Sequence, residues 1–151
     1  MKQVSEIPTE NDEITGLAFH PKANFLLAGF RDCTVHLWTV PTINLLQTFY
    51  GHIDEVTGVG FSLDGKLVLS ISLDATFRVW SPKEGEEKIR IEGYHYHQDA
   101  ILSFWLVPNS QNVLTTSADG TVALASIETG NIFQKTEPLG SPINSLAISI
   151  E

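Results

Sequence analysis

Cysteine is nearly missing from this chain: Cys33 is the one thiol in 151 residues. A single cysteine cannot close an internal disulfide, so a small secreted scaffold stapled by bridges is excluded. Basic residues are scarce too, 9 Lys and Arg against 18 Asp and Glu, for a formal net charge of −9. That balance argues against nucleic acid or an anionic membrane held by bulk charge, and it favours a basic protein partner. No apolar stretch follows the basic Lys2 near the N-terminus, and the longest apolar run, 101–107, is too short to span a bilayer. The expected setting is a reducing compartment, the cytoplasm or the nucleus. Sustained helical periodicity is also lacking. What is present is 42% hydrophobic sequence, enough to build a core.

The hydrophobic residues recur at a fixed period. Segments beginning at Ile14, Val56, Ile101 and Ile143 resemble one another and lie 42, 45 and 42 residues apart. A second register agrees: the segments opening at Asp32, Asp74 and Asp119 are again 42 and 45 apart. Within the second unit, apolar runs fall at 56–61, 67–72, 76–80 and 88–92, with the turn pair Asp64-Gly65 between the first two. The unit therefore reads as a four-stranded antiparallel meander. Its runs are apolar enough for both faces to be covered, as in sheets arranged radially around an axis. On this period the chain holds an outer strand at 2–7, blades at 14–49, 56–92 and 101–136, and an inner strand at 143–150. Three blades do not close a ring of the usual ~4–8. The expectation is that a longer parent chain or other subunits supply the rest.

Gly51-His52 before the first strand of the second unit, Asp74 in its turn and Trp80 at the end of its third strand carry a family resemblance. With the repeat length, they make the chain resemble the WD40 repeat family along nearly its whole length. The fold this implies is all-β, a WD40 propeller segment. The usual Trp-Asp pair is replaced by Trp38-Thr39 and Trp80-Ser81, and the third unit has Ala125-Ser126. Shorter segments, His20-Pro21 with 25–29, 37–41 and the tryptophan-free 123–130, are similar to the angio-associated migratory cell protein branch. That branch includes a chaperone dedicated to one ribosomal protein.

The resemblance assigns His52, Ser72, Asp74 and Trp80 to a buried hydrogen-bonded chain that locks the blade. An enzyme reading of the same residues as a Ser-His-Asp triad lacks the Gly-x-Ser-x-Gly elbow that would expose a nucleophile. The third blade keeps His97, Ser117 and Asp119 but has Ala125 for the Trp. The first keeps Asp32 and Trp38, with Glu10 at the His position and Phe30 at the Ser position. Only the second set reads as complete.

His95, His97 and Asp99 offer ligand types suited to zinc, and the alternative function is a metal-dependent hydrolase built on that loop. Against it, His97 belongs to the locking set, so no metal and no cofactor is expected. The loops leading into each inner strand carry Asp12, Glu13, Asp54, Glu55 and Asp99 without Lys or Arg. Tyr94 and Tyr96 stand beside them, suited to stacking on cationic side chains. The expected function is a non-catalytic scaffold whose acidic rim docks a basic protein. The resemblance extends this to an assembly factor for a ribosomal protein, with a regulatory subunit of another complex as the other scaffold reading.

Overall fold

The computed structural model describes residues 13–147. It contains twelve strands in three separate four-stranded sheets, each a simple meander. Blade 1 comprises β1 (Ile14–Phe19), β2 (Phe25–Phe30), β3 (Val35–Thr39) and β4 (Asn44–Phe49). Blade 2 comprises β5 (Val56–Phe61), β6 (Val68–Ser72), β7 (Phe77–Trp80) and β8 (Glu87–Ile91). Blade 3 comprises β9 (Ile101–Leu106), β10 (Asn112–Ser117), β11 (Val122–Ser126) and β12 (Ile132–Lys135). All pairings are antiparallel. The strands expected at 67–72, 76–80 and 88–92 form with ends displaced by one residue.

One correction concerns the last segment. Residues 143–147 form no strand; Ile143 instead donates its backbone N–H to Ser117 O at 3.1 Å. The chain there lies against the β10–β11 turn rather than in a new sheet. The strand expected at 2–7 lies outside the described residues, as do Glu10 and Asp12.

The core lies between blades, not inside them. Leu27, Val35, Leu37 and Phe49 of blade 1 pack against Val59, Phe61, Val68 and Trp80 of blade 2. Leu69, Ile71, Phe77 and Val79 on the other face of blade 2 pack against Ile101, Val113, Ala123 and Ile127 of blade 3. Every residue of β6 and β7 is buried as a result. This explains why apolar residues fall on both faces of those segments, with no clean alternation of apolar and polar. The outer strands β4 and β8 are mostly exposed, and each carries a bulge that disturbs its outward edge. Thr57 Oγ1 donates to Ile101 O at 2.5 Å, tying blade 2 to blade 3.

Candidate functional site

In blade 2 a hydrogen-bonded chain runs from the third strand to the turn. Trp80 Nε1 donates to Ser70 Oγ at 2.8 Å, Ser70 Oγ meets His52 Nε2 at 2.8 Å, and His52 Nδ1 meets Asp74 Oδ2 at 2.8 Å. Indole N–H only donates, so Ser70 accepts from Trp80 and donates its hydroxyl hydrogen bond to His52 Nε2. His52 then presents Nδ1–H to the carboxylate. Asp74 also accepts from the backbone N–H of Ile53 and Thr76 and from the Thr76 hydroxyl. Burial opposes its ionisation, but the His52 and Thr76 bonds prevail and hold its carboxyl far below the usual carboxylate range.

The serine of this chain is Ser70, not Ser72. Ser72 Oγ donates to Asp54 O at 2.9 Å and accepts the Asp74 N–H at 3.0 Å, fastening the loop backbone to the turn. Arg78 also belongs here, although no sequence signal marked it. Its Nη1 lies 2.7 Å from Glu87, its Nη2 3.6 Å from Asp74, and its Nε donates to Thr76 Oγ1 at 3.0 Å. Gly51 makes room for it: a Cβ there would stand 2.6 Å from Arg78 Nη1 and 3.0 Å from the Trp80 ring.

Blade 3 closes an equivalent chain with different residues. The Tyr96 hydroxyl donates to Thr115 Oγ1 at 2.8 Å, and Thr115 Oγ1 meets His97 Nε2 at 2.8 Å. His97 Nδ1 meets Thr121 Oγ1 at 2.9 Å, and Thr121 donates onward to Asp119 at 2.6 Å. Ser117, like Ser72, binds loop backbone, at Asp99 O. Tyr96 stands at the position of Gly51, while Ala123 and Ala125 replace Arg78 and Trp80. One large aromatic is exchanged for a Trp and an Arg, and the hydroxyl takes over the indole's hydrogen bond.

Tyr96 is therefore no rim residue. It is fully buried, and its phenol is pushed well above its ordinary range by that burial. Burial also drives the His97 imidazole down to about 4 against the pull of Asp119. Asp119 is itself held at about 2: burial raises it, and its Thr121 and Gln98 bonds outweigh that.

Blade 1 shows a shorter chain among its described residues. Asp32 accepts from the Thr34 N–H and hydroxyl at 3.0 and 2.6 Å. Phe30 stands edge-on to Trp38 at 6.0 Å, with both rings buried.

His95, His97 and Asp99 are not assembled for metal binding. His97 is buried with both ring nitrogens engaged, while Asp99 caps the Ala100 N–H at 2.7 Å. Among the described residues no cluster of three His, Cys, Asp or Glu could hold a metal ion. Glu13, Asp54 and Asp99 are exposed and Glu55 is half-buried on the loop face. Arg31, from the β2–β3 turn, reaches into this rim, 3.0 Å from Glu13 and 3.4 Å from Glu55. The rim is therefore acidic with Arg31 set among its carboxylates, and Lys135 stands 3.7 Å from Asp119 on the same face. Tyr94 is 76% exposed, and Ile53 beside Asp54 is 84% exposed.

The profile of the family described as "WD domain, G-beta repeat" matches residues 1–39, 43–81 and 88–124, which is most of the chain. The chain belongs to the WD40 family. Among curated WD40 relatives, the nuclear distribution protein nudF of Aspergillus niger is 28% identical over 95% of this chain. NudF of Emericella nidulans is 31% identical over 82%, and periodic tryptophan protein 2 of Saccharomyces cerevisiae 29% identical over 80%. The chain spans 32%, 28% and 13% of their respective lengths. Among solved structures, the computationally designed Ika4 protein superposes with a TM-score of 0.85 at 29% identity, covering 99% of this chain and 88% of that one. The designed Ika8 protein gives 0.78 at 31%, covering 91% and 40%. No helix among the described residues is long and apolar enough to cross a membrane.

Within this WD40 chain the locking residues are spent on structure: every polar atom of His52, Asp74, His97 and Asp119 described above faces another part of the same blade.

Proposed function

We propose that this chain is a non-catalytic protein-interaction scaffold whose acidic loop face holds a basic protein. The client class is a ribosomal protein kept in an assembly-competent state. The observation that carries this reading is the pairing of charge with apolar exposure on the same loops. Ile53 and Tyr94 project into solvent beside Asp54, Glu55 and Asp99. Aromatic and aliphatic anchors supply contact area, and surrounding carboxylates steer and register a cationic chain. In this reading further blades, from more of the same polypeptide or from other subunits, complete the ring around that face.

Arg31 tunes the rim by occupying Glu13 and Glu55. The test is affinity for a basic ribosomal protein, measured with Asp54→Lys combined with Glu55→Lys. Reversal is expected to weaken binding at least tenfold, and Arg31→Ala to strengthen it severalfold. Affinities unchanged in both variants would refute the proposal.

A further inference from the structure

Beyond β12 the chain crosses the loop face without regular structure, over residues 136–147. Two backbone hydrogen bonds hold it on the β10–β11 turn, from Leu139 N–H to Gly120 O at 2.9 Å and from Ile143 N–H to Ser117 O at 3.1 Å. The approach is close: a Cβ at Gly120 would stand 2.9 Å from Ser141 O. The locking chain of blade 3, from Tyr96 through Thr115, His97 and Thr121 to Asp119, uses neither bond. Every residue from Thr136 to Pro142 is exposed.

Within this segment stands Ser141-Pro142, one of two Ser-Pro pairs in the chain. The other, Ser81-Pro82, is closed. Ser81 is 7% exposed, and its Oγ donates to the Glu84 carboxylate while accepting the Glu84 N–H at 3.4 Å. Ser141 Oγ, by contrast, holds no hydrogen bond among the described residues. Other exposed loop hydroxyls are engaged: Thr42 with Thr39 and Asn44, Thr129 with the Asn131 N–H, and Thr136 with the Val122 N–H.

A protein kinase takes its acceptor hydroxyl from an extended, accessible stretch of chain. Pro142 suits that use in two ways. It has no backbone N–H for the kinase to satisfy, and it biases Ser141 towards extended geometry. Drawing residues 139–143 off the turn breaks two backbone bonds and leaves the blade's locking chain closed, the kind of local opening that precedes global unfolding.

We propose that Ser141 is a phosphorylation site for a proline-directed protein kinase, and that the phosphate charges the loop face for its cationic partner. Ser141 Oγ attacks the γ-phosphorus of ATP. The new O–P bond forms as the bond to the β–γ bridging oxygen breaks, ADP leaves, and the hydroxyl proton passes to the kinase's carboxylate base. The phosphate brings about −1.5 to −2 charges at pH 7. Residues 136–147 contain no Lys or Arg to neutralise it, and Lys135 is already paired with Asp119 at 3.7 Å. The charge is thus left for a partner that comes within the screening length of about 8 Å. Ser141 takes the phosphate whatever the chain binds; the gain in affinity rests on the acidic face holding a basic protein.

The full 151-residue chain is incubated with a mitogen-activated protein kinase and ATP, and phosphates are counted by intact mass and located by peptide mapping. One phosphate is expected, at Ser141. Ser141→Ala should abolish it, Ser81→Ala should leave it unchanged, and Pro142→Ala should slow it at least tenfold. No incorporation, incorporation at Ser81 instead, or a rate indifferent to Pro142→Ala would each overturn the site. The phosphorylated chain should then bind a basic ribosomal protein severalfold more tightly, with no gain in Ser141→Ala treated alike. Equal affinity before and after phosphorylation, where Asp54→Lys with Glu55→Lys still weakens binding, would overturn the charging role and leave the acidic face standing. Affinity indifferent to both phosphorylation and that reversal would overturn the acidic face along with it.

Discussion

At the scale of single residues, the locking chains make sharply unequal claims on similar side chains. Ser70 serves two partners in a buried site, so Ser70→Ala leaves His52 Nε2 and Trp80 Nε1 unsatisfied and should cost about 2–4 kcal/mol in denaturant unfolding. Ser72→Ala removes one loop tether and should cost about 1 kcal/mol. Equal costs would contradict the geometry. Asp74→Ala should likewise destabilise more than Asp32→Ala, since among the described residues Asp32 accepts from Thr34 alone. Sequence alone does not separate the two serines: both are hydroxyls, both lie two apart on one strand and hence on one face, and both recur 45 residues later as Thr115 and Ser117. The β6–β7 register, which pairs Val68 with Trp80 and Ser70 with Arg78, brings Ser70 to the indole, and that register was not visible in the spacing.

The same turn position is left-handed in all three blades, at Cys33 (φ 72°), Ala75 (φ 63°) and Gly120 (φ 79°). Only the third has the residue type suited to it. Ala75→Gly should therefore stabilise blade 2 by about 1 kcal/mol, seen as a higher unfolding midpoint.

Among whole elements, the informative comparison is blade 2 with blade 3. Glycine, arginine and tryptophan in one become tyrosine, alanine and alanine in the other, and the hydrogen bond to the strand hydroxyl survives. Tyr96→Phe should cost about 1–2 kcal/mol by stranding the Thr115 side of the chain. Ala125→Trp alone should overpack the blade, at a cost of about 1–3 kcal/mol. Combining it with Tyr96→Gly should recover part of that loss, and a double-mutant cycle showing simple additivity would rule out the exchange. The Gly-His signature and Trp80 made blade 2 legible from sequence. Blade 3 read as incomplete because its compensation sits at the glycine position, where a tyrosine looks like a surface aromatic.

The elements also differ in their response to acid. His97 is depressed in the folded state to about 4, so its contribution is full above its unfolded value near 6.5 and is lost as pH falls toward 4. Asp119, depressed to about 2, adds a second loss below its ordinary 3.8. The free energy of unfolding should fall between pH 7 and pH 4, by on the order of 3 kcal/mol from His97, and His97→Gln should flatten that decline. A profile that the variant leaves unchanged would contradict the assignment.

For the molecule as a whole, the period of the sequence predicted the three sheets and their meander order. It did so because each blade buries both faces of its middle strands and must repeat the same apolar runs to do it. The two features that distinguish its surfaces were not periodic and were less legible. Arg31 reaches the acidic rim from a turn in the preceding strand pair, so counting charges loop by loop missed it. Tyr96 left the rim for the core because blade 3 lacks a tryptophan to fill the same volume. The proposed function is that of a repeat-locked body whose loop face captures a cationic protein largely by charge. Its most direct test is the affinity of the wild-type chain for a basic ribosomal protein, titrated calorimetrically across a series of salt concentrations. An affinity that falls steeply and log-linearly with salt, with the slope reduced by Asp54→Lys and Glu55→Lys, is the predicted result; a salt-independent affinity would contradict the acidic rim as the capturing surface.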